Sequence, residues 1–304
     1  MNYIKPLLPF LACWALLLSS ETTAEVALWN GFAQLILFVF VVLIPTWRTG
    51  RMSYVDIGWP MGLAIIGLAT LSLGQGDTTR VGAISLVFLF IGLRMGLGAI
   101  KMWRGGHLDT ELPRYEYQRL RWQKKGIKNF PLIMQSEALS QGAANMSFLA
   151  LPAFIIASNA SSRIHWLELL GLALWIIAFF IESLADAQKN TFLREVRAKG
   201  LSKQVCNVGL WRYSRHPNYF GEWLVWNALI IASIPSWLAL QDKEPFITWI
   251  LLGIATLFIS RIMYTTLVTY TGAKPAEFYS AQKRPGYREY QQQTNMFFPG
   301  PPRL

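Results

Sequence analysis

The chain has 304 residues, 53% of them hydrophobic and only 15% charged, with a formal net charge of +11. Thirteen Trp and eighteen Phe suit the interfaces of a membrane better than a water-soluble domain. Two cysteines exclude a disulfide framework and a cysteine-rich metal centre. The positive charge lies in loops between apolar runs, which points to membrane topology and away from nucleic acid.

Eight apolar stretches follow one another, near 6–20, 26–44, 54–74, 81–100, 131–158, 164–185, 220–240 and 246–265. Most reach the ~20 residues that cross a hydrocarbon core, so the pattern predicts an all-α, polytopic transmembrane bundle of about seven to eight helices. The first stretch is short and led by Lys5, a pattern shared by a cleaved signal peptide and a retained helix. With a cytosolic N-terminus, 23 of the 28 Lys and Arg fall on one side: Lys5, Arg48, Arg51 and those in 101–130, 186–219 and beyond 265. That bias places both termini in the cytosol. No internal repeat and no separate soluble core is visible, so residues 1–304 read as a single integral membrane domain.

Ionisable groups inside spans are costly and mark partners, cavities or sites. Here they are Asp56, Arg94, Glu137, Glu182, Asp186, Glu222 and Arg261, all in the expected cytosolic half. Glu168, near the opposite end, is expected to face solvent. Arg94 lies roughly 9 Å inside its span at 1.5 Å per residue, with Asp56 as its counter-ion candidate. The pair reads either as a structural tie or as a polar site open to the cytosol. Glu182, Asp186 and Lys189 share one helix face, and Glu137, Gln141 and Asn145 share another. The second stripe suits bonding between helices as well as a cavity. Together the stripes predict a cofactor cavity facing the cytosol.

The segment GLWRYSRHPNYFGE (209–222) precedes one apolar run. Pro217 is predicted as the first residue of a helix, where a missing N–H costs nothing. The positive end of that helix is an anion site, and Arg212, Arg215 and His216 surround it with further cationic groups. Asn218 and Glu222 lie four residues apart on one face. The arrangement predicts a phosphate-bearing cofactor; a basic collar for anionic lipid is the competing reading. No Gly-x-Gly-x-x-Gly, no Walker motif and no His or Cys cluster occurs, so the site is non-Rossmann and no metal is expected.

Residues 209–223 resemble the DUF1295 family of bacterial membrane proteins, within the wider steroid 5-alpha-reductase and sterol reductase superfamily. ESLADAQKNTF (182–192), SYVDIGW (53–59) and the tail TGAKPAEFYSAQKRPGYREYQQQTNMFFPGPP (271–302) are similar to that family as well, most specifically across 182–302. The resemblance implies an integral protein of the bacterial inner membrane that binds NADPH on the cytosolic side. It implies hydride transfer to a C=C bond, usually conjugated to a carbonyl, of a hydrophobic lipid- or steroid-like substrate, by a monomer. Asp186, Asn218 and Glu222 would contact the cofactor, with Glu182, Lys189, Arg212, Tyr213, Arg215, His216 and Tyr219 nearby and Tyr287 and Tyr290 closing from the tail. Asp56 or Arg94 would polarise the carbonyl as charge develops on it. In the steroid reductases a Glu and a Tyr have that role; Asp56 can stand for the Glu, but no Tyr counterpart is evident.

Two other classes remain open. An isoprenylcysteine-carboxyl-methyltransferase-like enzyme shares Arg-His-Pro-x-Tyr-x-Gly and would bind S-adenosylmethionine, but the adjacent Glu pair of that family is missing from 261–277. A non-enzymatic lipid-binding or transport protein would place polar groups at the midplane, not on one side.

Overall fold

The computed structural model describes residues 3–303 and is helical, with no β-strand among the described residues. The chain packs as two compact units, one of residues up to Leu169 with Ala232–Ile259, the other of Leu170–Ile231 with residues from Ser260 on. The first unit begins with α1 (Leu8–Ser19) and α2 (Ala24–Leu37). A π-helical segment (Phe38–Leu43) then leads into α3 (Ile44–Thr49), followed by α4 (Val55–Leu73), α5 (Thr78–Arg104), α6 (Pro113–Lys124), α7 (Phe130–Met146) and α8 (Leu151–Ala157). The second unit takes most of α9 (Trp166–Ala198), a 3₁₀ turn (Gly209–Arg212) and the start of α10 (Pro217–Leu238). It also holds the end of α11 (Phe246–Thr265), a second π segment (Thr266–Tyr270), α12 (Ala273–Lys283) and α13 (Tyr287–Gln293).

The helical membrane bundle expected from the sequence is the fold observed. Among the described residues, six segments are long and apolar enough to cross a membrane: Ala24–Thr49, Val55–Leu73, Thr78–Arg104, Phe130–Ala157, Trp166–Ala198 and Phe246–Lys283. The other two expected spans are also helices. α1 is apolar but only 12 residues long, and α10 mixes Asn218, Glu222 and Asn227 into its 22 residues.

Small residues let helices approach where lipid supplies no hydrophobic drive between them. In the first unit, α4 and α5 pack along each other. A Cβ on Gly92 would stand 2.3 Å from the Ala64 nitrogen and 2.7 Å from the Pro60 carbonyl. The π segment has a local cause: Pro45 cannot continue the α ladder, and the Ile44 N–H reaches back to the Val39 carbonyl.

Buried amides tie α2, α4 and α7 together. Asn30, Gln34 and Asn145 are fully buried. Asn30 Nδ2 donates to the Asn145 carbonyl (3.1 Å), Gln34 Nε2 to the Gly62 carbonyl (2.7 Å) and Asn145 Nδ2 to the Trp59 carbonyl (2.9 Å). For Asn145, then, the polar stripe on α7 is bonding between helices.

Carboxylates fasten the loops of the same unit. Glu244 accepts from Ser20 Oγ (2.7 Å), Thr22 Oγ1 (2.7 Å) and the amides of Glu21 (3.1 Å) and Thr22 (3.0 Å). Glu168 does not simply face solvent: Arg80 grips it through Nε (2.6 Å) and Nη2 (2.9 Å), and the Arg80 side chain is 3% exposed. The partner lies 88 residues away, beyond the reach of helix periodicity.

Candidate functional site

In the second unit the site is built on the C-terminal half of α9 and the first turns of α10. α10 begins at Pro217, as its fixed φ and missing N–H predict. Gly221 allows the two helices to touch, because a Cβ there would lie 2.8 Å from the Glu182 backbone nitrogen. Gly221→Val is therefore expected to push α10 off α9 and to destabilise the protein by about 1–3 kcal/mol, the range for overpacked sites; a thermal melt in detergent checks it.

This contact brings two expected residues together. Asn218 Nδ2 donates to Asp186 Oδ1 at 3.0 Å, while Asn218 Oδ1 is buried without a hydrogen-bond partner. Ser183 Oγ, one turn before Asp186 on α9, is likewise buried and unpartnered. Glu182, Asp186, Tyr219 and Glu222 are half-buried beside them. Two helix faces thus present polar atoms that the protein itself leaves in part unsatisfied, which buried groups rarely tolerate.

The loop before α10 is folded back onto α9. Gln188 Oε1 accepts from the Leu210 amide (2.8 Å), and Trp211 Nε1 donates to the Ala185 carbonyl (2.9 Å). Gly209 is required between them: its φ is +53°, and a Cβ would stand 2.4 Å from the Gln188 side chain. Lys189 Nζ sits 4.4 Å from the centre of the buried Trp211 ring. Arg212 and Tyr213 are exposed.

Arg215 and His216 turn inward. Arg215 donates through Nε and Nη2 to the two oxygens of Glu277 (2.6 and 3.1 Å) and through Nη1 to the carbonyls of Gln291 (2.8 Å) and Thr294. Its side chain and that of Glu277 are each 7% exposed. Gln291 Nε2 adds a bond to Glu277 (2.7 Å), and the His216 Nε2–H faces the same carboxylate at 3.2 Å while its ring stacks on Tyr219. This bidentate, charge-assisted pair fastens α12 and α13 to the loop. Tyr290 OH donates to the Trp211 carbonyl (2.5 Å), and Tyr287 meets Tyr290 edge to face. Both tyrosines are buried.

Burial, above all, holds the His216 imidazole below its ordinary 6.5, against the pull of Glu277. The folded protein thus prefers it neutral, whereas the unfolded chain binds the proton from about pH 6.5 downward. Stability is expected to fall as pH drops below that value, and His216→Gln to remove that share of the acid sensitivity. Melts at about pH 5.5 and about pH 7.5 compare the two proteins across the window in which imidazole titrates.

In the first unit Asp56 lies in the first turn of α4. Its carboxylate accepts from Arg114 and, at 2.6 Å, from the Tyr115 hydroxyl, both at the start of α6. Nearby, Glu111 accepts from the amides of Met52 (2.8 Å) and Ser53 (3.1 Å) and pairs with Arg119. Arg94 is on α5, which packs along α4, with its side chain exposed.

Sequence reasoning missed Glu277, Tyr115 and Arg114. One signal for Glu277 was available: a buried Arg215 needs a counter-ion, and Glu277 and Glu289 are the acids of the tail. Nothing local marks Tyr115, whose partner is 59 residues away.

Residues 39–294 match the family described as protein of unknown function, DUF1295. The chain is 22% identical to the uncharacterized protein C594.04c of Schizosaccharomyces pombe, over 83% of this chain and 84% of that one. It is 32% identical to the Delta(14)-sterol reductase ERG24 of Saccharomyces cerevisiae over a shorter stretch, 33% of this chain and 23% of the reductase. No solved structure matches it. With the match spanning most of its length, and including the α9–α10 site and Asp56, the chain belongs to the DUF1295 family of membrane proteins, which that partial similarity links to the sterol reductases.

Proposed function

We propose that the protein is an NADPH-dependent membrane reductase that reduces a C=C bond, conjugated to a carbonyl, in a hydrophobic lipid- or steroid-like substrate. The observation that carries this reading is the Asp186–Asn218 pair, with an unsatisfied amide oxygen, at the start of a helix flanked by Lys189 and Arg212. The partial similarity to a sterol reductase supports the reaction class. The residues fit the cofactor: Asn218 offers an acceptor to an amide or hydroxyl, and the helix start and the two cations suit phosphates. Glu182, Glu222, Tyr213 and Tyr219 would complete the binding face. When bound, NADPH supplies the hydride.

The protein's own residues have two tasks here. Asp186 fixes the Asn218 amide so that its oxygen stays an acceptor. Arg215 and His216 act through Glu277 and position the loop, since most guanidinium donors of Arg215 are already committed to the tail. Reduction also needs a proton, and the Tyr115 hydroxyl does not supply it: its one proton is given to Asp56, a bond that ties α6 to α4 within the first unit. Burial, then the Asp56 carboxylate, push that phenol well above its usual 10, so it keeps the proton and the bond at neutral pH. The lysine and arginine bias orients the binding face to the cytosol, with the membrane being a bacterial inner membrane in this reading.

NADPH oxidation by the purified protein, screened against enones and polyprenoids, tests the reading. Substrate-dependent oxidation supports the reading. No oxidation with any of them would overturn it.

A further inference from the structure

The first unit carries a second cationic surface, distant in sequence from the 209–222 motif. The chain leaves the membrane at the end of α5 and re-enters at the start of α7, and both junctions are basic. At the α5 end, Lys101, Met102, Trp103 and Arg104 are all exposed, Trp103 at 49%. Before α7 lie Lys124, Lys125 and Lys128, exposed as well. Between them α6 is held from one side by buried Tyr115, Gln118 and Trp122, so Glu116, Leu120, Gln123 and Lys124 face outward.

Of the carboxylates of the same segment, Glu111 serves the Met52 and Ser53 amides and Arg119, Asp109 lies 3.9 Å from Arg51, and Glu116 alone stands exposed on α6. Among the described residues no carboxylate pairs with Lys101, Arg104, Lys124 or Lys128. An exposed Trp at a helix end, with exposed cations there and at the start of α7, has the chemistry of a headgroup contact. The indole seats at the interface while the cations meet phosphate.

We infer that the α5–α6–α7 junctions, through Lys101, Arg104, Lys124, Lys125 and Lys128 with Trp103 as anchor, form a docking surface for anionic phospholipid headgroups of the adjoining leaflet. With the orientation proposed above, that leaflet is the cytosolic one. The inference does not depend on the reductase reading, since it uses none of the residues assigned to cofactor or substrate.

The test uses the full chain in nanodiscs of phosphatidylcholine, with or without phosphatidylglycerol. The wild type is expected to melt several degrees higher with phosphatidylglycerol, and the gain to shrink as salt is raised. The variant K101Q/R104Q/K124Q/K125Q/K128Q is expected to melt like the wild type in phosphatidylcholine but to show no gain. Trp103 fluorescence, taken as the difference between wild type and Trp103→Phe, should be quenched more by brominated phosphatidylglycerol than by brominated phosphatidylcholine. Equal quenching, a gain that persists in the five-fold variant, or the same gain from inorganic phosphate over pure phosphatidylcholine would overturn the inference, the last by showing a site for free anions.

Discussion

Glu277→Ala is expected to destabilise the protein by about 3–5 kcal/mol, the cost of leaving a buried charge without its partner. Both side chains of the Arg215–Glu277 pair are 7% exposed, so solvent does not screen the loss. Glu277 also takes bonds from Gln291 and His216, and α12, α13 and the loop before α10 share this one acceptor. Its removal frees the tail as well as the arginine. The double variant Arg215→Met/Glu277→Ala separates the causes. Removing both charges is expected to recover part of the loss, because a neutral pair no longer carries the desolvation penalty. Melting curves of the two variants in the same detergent measure it, and a double variant less stable than Glu277→Ala alone would place the importance of Arg215 outside this pair.

Asn218→Ala should act on binding and much less on stability. Its Oδ1 has no partner within the protein, so the side-chain bonding lost is the single Nδ2 bond to Asp186. A bound cofactor donor would satisfy it, and losing a buried bond of this kind costs roughly 1–3 kcal/mol, or about 5- to 150-fold in Kd. Asp186→Ala is expected to weaken binding in the same direction by releasing the amide held at 3.0 Å. Titration of NADPH against wild type and both variants, each with a melt, checks it. Equal affinities with unchanged melting would remove the pair from the site.

The parts of this account legible in the sequence are those written in short-range periodicity. Hydropathy marks eight apolar stretches that all prove helical, Pro217 marks the start of α10, and the i, i+4 spacing on α9 and α10 puts Asp186 and Asn218 on faces that then meet. What stays hidden depends on long-range pairing. Arg215 and His216 read as anion ligands because a local motif shows their charge but not their direction; the acceptor that turns them inward is 62 residues away. Glu168 reads as solvent-facing for the same reason, and Asp56 has Tyr115 as a partner through a loop whose basic composition says nothing of a buried phenol.

In the proposed reading the α9–α10 face binds NADPH. Thermal shift of the purified protein with NADPH, NADH and S-adenosylmethionine tests it most directly. Stabilisation by NADPH, absent in Asn218→Ala, is the predicted result. Stabilisation by S-adenosylmethionine alone would contradict the claim and make the site that of a methyltransferase.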